Sequence, residues 1–148
     1  MPPDVLDGNE LDVMVGGEAA YARMLASIAA ARTSIAMQTY ILDEDKTGFM
    51  FRDALIERAK AGVDIRFLYD SIGAVSASRA FIQSFRDGGI RIYPFLPFHP
   101  FKRRWQINLR NHRKILVVDG REAFFGSMNL SSRHVSAGKG TCRATCTR

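Results

Sequence analysis

Four residues near the end of the chain are of types that handle phosphate: His112, Lys114, Ser127 and Asn129. Between them lie two apolar runs, Arg113–Val118 and Arg121–Gly126, joined at Asp119-Gly120. An Asp-Gly pair between such runs is the strongest short-range hairpin signal, and it predicts a two-residue loop. In that register Val118 faces Arg121, Lys114 faces Phe125 and His112 faces Ser127. Directly opposed side chains share a face of a sheet, as do residues two apart on one strand. All four therefore emerge together at the open end of the hairpin, and Gly126 leaves room for a ligand to approach the backbone. An imidazole, an ammonium, a hydroxyl and an amide converge with no carboxylate among them. Lys supplies charge, Ser and Asn supply neutral donors, and His can attack or carry a proton. A slip of one residue would scatter the set.

The spacing His112-x-Lys114, four residues, Asp119, six residues, Gly126-Ser127-x-Asn129 resembles the motif of the phospholipase D superfamily. The stretch NHRKILVVDGREAFFGSMN looks most like the bacterial cardiolipin synthase branch. The likeness extends upstream through MQTYILDED, AGVDIRFLYDSIGA and GIRIYPF, over roughly residues 8–130. The resemblance implies phosphodiester transfer without metal or other cofactor. It implies that His112 attacks phosphorus to form a phosphohistidine, with Lys114 and Asn129 on the non-bridging oxygens and Ser127 assisting. Asp119 belongs to the same catalytic motif and, at a turn, mainly supports local structure. The reaction implied moves a phosphatidyl group from one phosphatidylglycerol onto another, giving cardiolipin and glycerol.

The elements that would position these residues alternate. Val13 and Val15 mark a weak strand; residues 18–31 read as a helix, with Ala22, Leu25, Ile28 and Ala29 at helical spacing. Ser34–Leu42 reads as a buried strand. Thr47 is placed to cap a second helix with Phe51, Leu55 and Ala59 on one face, ending at Gly62. Val63–Asp70 is a third strand. A helix starting at Ser76 and stopping at Gly88-Gly89 carries Phe81, Ile82 and Phe85, and Ile90–Phe95 is a short strand. The expected fold is an α/β lobe of the phospholipase D type. Its largely parallel mixed sheet carries helices on both faces and a C-terminal hairpin bearing the motif. Tyr40 and Asp70, at strand ends, are candidates to line the crevice where open parallel sheets bind ligands, or are buried for structural reasons. Residues 96–111, with two prolines, three aromatics and four basic residues, form a loop. The stretch from Phe95 to Trp105, with Lys102, Arg103 and Arg104, reads equally as an interfacial lipid anchor or as a plug at the core edge. Arg110 and Asn111 read as exposed loop residues in preference to headgroup contacts.

The 148 residues suit one domain able to bury its own core, with 47% hydrophobic and 24% charged residues excluding a disordered or fibrous chain. Residues 1–70 carry −5 and residues 71–148 carry +11, which points to an anionic partner. No apolar run reaches membrane-spanning length and the start is unlike a signal peptide. The expected location is cytoplasmic, peripheral to the inner membrane face. Anionic phospholipid, phosphatidylglycerol, is the expected partner, with nucleic acid the alternative. Cys142 and Cys146, without histidine or further cysteine beside them in sequence, do not suggest a metal site.

Three features depart from the family. Only one motif is present, because His99 and His134 lack it; a second motif-bearing lobe or a homodimer is needed to complete a site. No acidic residue follows Glu122 to orient the nucleophilic imidazole. After Ser131 the apolar pattern stops. The expected division is a catalytic lobe over 1–131 and an unstructured tail over 132–148, truncated or frame-shifted from a longer two-motif enzyme. Besides phosphatidyl transfer, the sequence leaves open a single-motif phosphodiesterase or nuclease dimer, and a non-catalytic lipid-binding fragment.

Overall fold

The computed structural model describes residues 9–96, 111–136 and 141–147. Seven strands form one sheet: β1 (Asn9–Val15), β2 (Ser34–Thr39), β3 (Asp64–Asp70), β4 (Arg91–Phe95), β5 (Ile115–Val118), β6 (Glu122–Gly126) and β7 (Thr141–Thr147). Across the sheet they run β1-β7-β6-β5-β2-β3-β4. The helices are α1 (Gly17–Ala30), α2 (Lys46–Lys60), α3 (Arg79–Asp87) and the single-turn α4 (Arg133–Ser136).

The mixed α/β architecture is as expected, with its two halves differing in character. β2, β3 and β4 are parallel, joined by the crossover helices α2 and α3. From β2 outward through β5, β6, β7 and β1 every pairing is antiparallel. The parallel portion is thus smaller than the alternating pattern suggests.

Helices on both faces are not what the described residues show. Successive right-handed crossovers between neighbouring parallel strands put α2 and α3 on one side of the sheet. α1 joins them there, with Tyr21 edge-on to Phe51 at 5.4 Å between ring centroids, and Phe81 and Phe67 each edge-on to Phe85. Strand alternation then sorts the residues. Ile35, Met37, Ile65, Phe67, Ile92, Leu116, Val118 and Phe124 are buried under the helices. Their neighbours point the other way, and Tyr93 (56% exposed), Phe125 (40%), Val13 (52%) and Val15 (72%) lie open. Apolar runs such as SIAMQTYIL look buried on both sides, yet the second face is uncovered among the described residues.

The helix starts are set by residues other than those the pattern nominates. Asp45, not Thr47, caps α2, its carboxylate accepting from Gly48 N at 3.0 Å, while Thr47 is buried with its hydroxyl 3.2 Å from that of Ser132. Ser78, not Ser76, caps α3, accepting from Phe81 N at 3.0 Å. Ser76 instead donates to Asp43 at 2.6 Å.

The segment 132–148, expected to be unstructured, contains α4 and β7. β7 is inserted between β1 and β6, with its backbone laddered on both sides. Backbone pairing needs no apolar pattern, and the sequence TCRATCT gives none. The basic-aromatic loop at 97–110 lies outside the described residues.

Candidate active site

The motif hairpin forms, but in a register shifted by one. Ile115 pairs with Phe125, Leu116 with Phe124 and Val118 with Glu122, so the loop has three residues, Asp119, Gly120 and Arg121. Asp119 (φ 53°) and Gly120 (φ 65°) are both left-handed, and Arg121 N closes the turn on Val118 O at 3.0 Å. Extended to the open end, this register sets Lys114 across from Gly126 and His112 across from Met128. The predicted opposition of His112 to Ser127 is lost.

The strands end there, and His112 and Lys114 gather on Tyr40 while Asn129 hydrogen-bonds the next residue, Ile41. β5 lies between β2 and β6 only as far as Ile115. Beyond it Leu42 and Leu130 pair directly, with Leu130 N donating to Ile41 O at 3.1 Å and Asp43 N to Leu130 O at 3.0 Å. Residues 112–114 lie outside the strands. The His112 ring stacks on Tyr40 with centroids 4.0 Å apart and planes 19° from parallel. The Lys114 ammonium lies 5.5 Å from the same tyrosine ring and donates to the His112 carbonyl at 2.6 Å. Partial burial lowers the Lys114 pKa from its ordinary value.

Asn129 is buried and doubly engaged. Its Oδ1 accepts from Ile41 N at 3.0 Å, and its Nδ2 lies 3.3 Å from Nε2 of His134. Below it, the Tyr21 hydroxyl from α1 donates to the Asn129 carbonyl, with the Ser131 carbonyl at 3.2 Å. Burial pushes the Tyr21 pKa up to about 12, against the Ser131 hydrogen bond and with help from the charge of Asp45. Asp45 also accepts from Ser132 N at 2.6 Å, fastening the segment after Asn129 to the start of α2. Burial works against its ionisation, yet the hydrogen bonds from Ser132, Gly48 and Thr47 hold its pKa below the usual carboxylate value. Ser127 is exposed on the stretch between Gly126 and Asn129.

Asp119 stands apart from this cluster, at the far end of β5. Its carboxylate accepts from Arg32 N (2.9 Å), Thr33 N (2.8 Å), Ser34 N (2.9 Å) and the Thr33 hydroxyl (2.9 Å). Desolvation opposes its ionisation, but those bonds outweigh it and hold the carboxyl well below the ordinary range. Its work is to lock the hairpin turn to the corner between α1 and β2. Asp70 likewise closes a turn, accepting from Ile72 N at 2.9 Å and Gly73 N at 3.2 Å, whereas Tyr40 does line the site. His134, which has no motif around it, is the residue sequence reasoning passed over; its one signal is proximity in the chain to Asn129.

Cations and neutral donors around a stacked imidazole, at the end of a mixed sheet, define a site suited to a phosphate group. Comparison with known proteins gives the family. Residues 24–140 match the family described as "Cardiolipin synthase, PLD-like domain". Cardiolipin synthase 2 of Bacillus cereus is 35% identical over 130 residues, covering 88% of this chain and 25% of that protein. Cardiolipin synthase A of Pseudomonas entomophila is 36% identical over 132 residues, covering 89% of this chain and 28% of that protein. Among solved structures, Nuc of Salmonella typhimurium, a phospholipase D family member, superposes with a TM-score of 0.71 at 22% identity. That match covers 94% of this chain and 84% of the other. The chain belongs to the cardiolipin synthase, phospholipase-D-like family, a family of phosphatidyltransferases and phosphodiesterases. It spans about a quarter of the length of these curated relatives. No described helix is long and apolar enough to cross a membrane.

Proposed function

We propose that this lobe carries the phosphate-binding half of a phosphatidyl-transfer site acting on phosphatidylglycerol at the inner membrane face. The supporting observation is the convergence of His112, Lys114 and Asn129 at one sheet end, in a chain more than a third identical to cardiolipin synthases. In this reading His112 attacks the phosphorus of one phosphatidylglycerol. An N–P bond forms as the P–O bond to the headgroup glycerol breaks, and the leaving alkoxide takes a proton. The glycerol hydroxyl of a second phosphatidylglycerol then attacks the phosphohistidine, losing its proton as the N–P bond breaks to give cardiolipin. Lys114 and Asn129 hold the non-bridging oxygens, where fixed donors act on the charge of the transferring group without reorganisation. Ser127 assists from the neighbouring position. No metal or other cofactor enters these steps. Splitting one displacement into two is the advantage of the covalent route.

The imidazole needs an orienting partner, and the Tyr40 stack supports Tyr40 in that role. A proton donor for the leaving glycerol comes from a second motif-bearing lobe or a second copy of this chain. The chain alone is inactive unless such a partner is supplied.

The test is release of glycerol from phosphatidylglycerol vesicles by the wild-type chain and by His112→Asn, with a quench for the acid-labile phosphohistidine. Turnover and labelling in the wild type alone support the reading. Labelling without turnover identifies half a site. Neither, with lipid binding that survives His112→Ala, makes the chain a non-catalytic lipid-binding unit. The +11 charge of residues 71–148 supports one other reading, a homodimeric phosphodiesterase acting on nucleic acid. It requires a dimeric mass and DNA binding that falls steeply with salt.

A further inference from the structure

His134 lies five residues beyond Asn129, on α4 and outside the motif. The contact between the two fixes protons. Asn129 Oδ1 accepts from Ile41 N at 3.0 Å, so the amide's orientation is settled and the atom facing His134 Nε2 at 3.3 Å is the NH2 group. An amide nitrogen only donates; Nε2 must then present its lone pair, and the ring is neutral with its proton on Nδ1. The surroundings favour the same state. Partial burial and the charge of Lys114 lower the His134 pKa, Asp43 opposes them, and Arg133 adds to the lowering. From α1, Tyr21 faces this segment with its hydroxyl committed to the carbonyls of Asn129 and Ser131. Glu18 and Val135 flank a groove alongside.

His134 therefore engages the amide group that the proposed function assigns to phosphate. A phosphodiester entering beside Lys114 competes for that amide. Once a non-bridging oxygen takes that N–H, with Oδ1 still held by Ile41 N, Nε2 loses its donor and faces a negative charge.

We propose that phosphate binding at Lys114 and Asn129 is coupled to uptake of one proton by His134. The proton comes from solvent and adds to Nε2. No bond other than the hydrogen bonds to Nε2 and the phosphate oxygen changes. The site thereby gains a second cation when an anion fills it, and returns to a neutral ring when empty. The inference rests on the phosphate reading of the site.

The probe is dimethyl phosphate, a monoanion across the pH range used, with the ring signals of His112 and His134 and the side-chain amide of Asn129 followed by NMR. The titration midpoint of His134 is expected to rise by about one pH unit at saturating probe. Affinity is expected to fall about tenfold as pH rises across that midpoint, an ordinary size for coupling between neighbouring sites. His134→Gln keeps an acceptor for the amide and is expected to bind the probe without that pH step, while His112→Asn keeps the step. The coupling is overturned if the probe shifts the Asn129 amide but leaves the His134 midpoint unmoved, or if His134→Gln retains the step. If the probe perturbs none of these signals, the phosphate reading itself falls.

Discussion

The two ends of the β5–β6 hairpin are built for different purposes. At the turn, two carboxylates are held by donors. Asp119 takes backbone N–H groups from Arg32, Thr33 and Ser34, and Glu122 takes Arg23 at 2.9 Å and the Ser27 hydroxyl. At the open end, about 14 Å away along four residues of strand, the groups are an ammonium, two imidazoles and an amide. There His112 is exposed and held by stacking. What reads in one dimension as a single motif is in space an anchor and a reactive end. Rigidity at the first is what permits exposure at the second.

That contrast is sharpest for activity. His112→Asn should abolish phosphoryl transfer, by about 10³-fold or more, with the thermal midpoint unchanged. Activity lost together with stability would mean that the open end is also structural.

Asp119 should show the reverse. Asp119→Ala removes an acceptor for three backbone donors and places alanine at φ 53°, so a loss of about 2–3 kcal/mol in urea unfolding is expected. Asp119→Asn tolerates the left-handed turn but loses the charge, and should cost less. The sign of the pH effect follows from the lowered pKa. The folded state prefers the ionised carboxyl, so the stabilisation is present above the unfolded value of about 3.9 and fades as pH falls below it towards the folded value. Wild type and Asp119→Asn should therefore converge in stability between pH 4 and pH 2. A constant gap would assign the effect to the turn alone.

Tyr40→Ala should lower kcat about tenfold to a hundredfold with little change in KM, and Tyr40→Phe should restore it, since stacking needs the ring and not the hydroxyl. Failure of Phe to rescue would shift the role to the hydroxyl. The smallest effect belongs to the turn's outer contact. Arg23→Ala, breaking a pair whose arginine is 55% exposed, should cost less than about 1 kcal/mol in the same urea assay.

The elements under the helices were legible because their alternation is local: Ile35 and Met37 in β2, or Phe81, Ile82 and Phe85 in α3, announce which side is buried. The hairpin was legible as a turn, but its register was not. Asp119 N donates to Ser34 O at 2.8 Å, its carboxylate accepts from Arg32, Thr33 and Ser34, and Glu122 accepts from Arg23 and Ser27, so all these partners come from residues 23–34. A distant corner thus decides whether Arg121 pairs, and no turn code contains that information. The site suffered the same blindness. His112, Lys114 and Asn129 were found by type and spacing, whereas Tyr40's stack and His134's contact depend on Leu42 meeting Leu130 across the vacated end of β5. β7 escaped notice because its evidence lies in the partners on either side of it.

The position of β7 also bears on the order of assembly. Among the described residues β1 meets the sheet only through β7, since β1 is bonded to β7 and β7 to β6. During synthesis β2, β3 and β4 can zip up with their crossover helices while β1 waits without a partner. Its docking is the contact of longest sequence separation and hence of highest loop-closure entropy, the kind that sets the slowest folding step. Exposed Val13 and Val15 make that waiting strand adhesive. Pairing of β1 therefore waits until residues 141–147 have joined the hairpin.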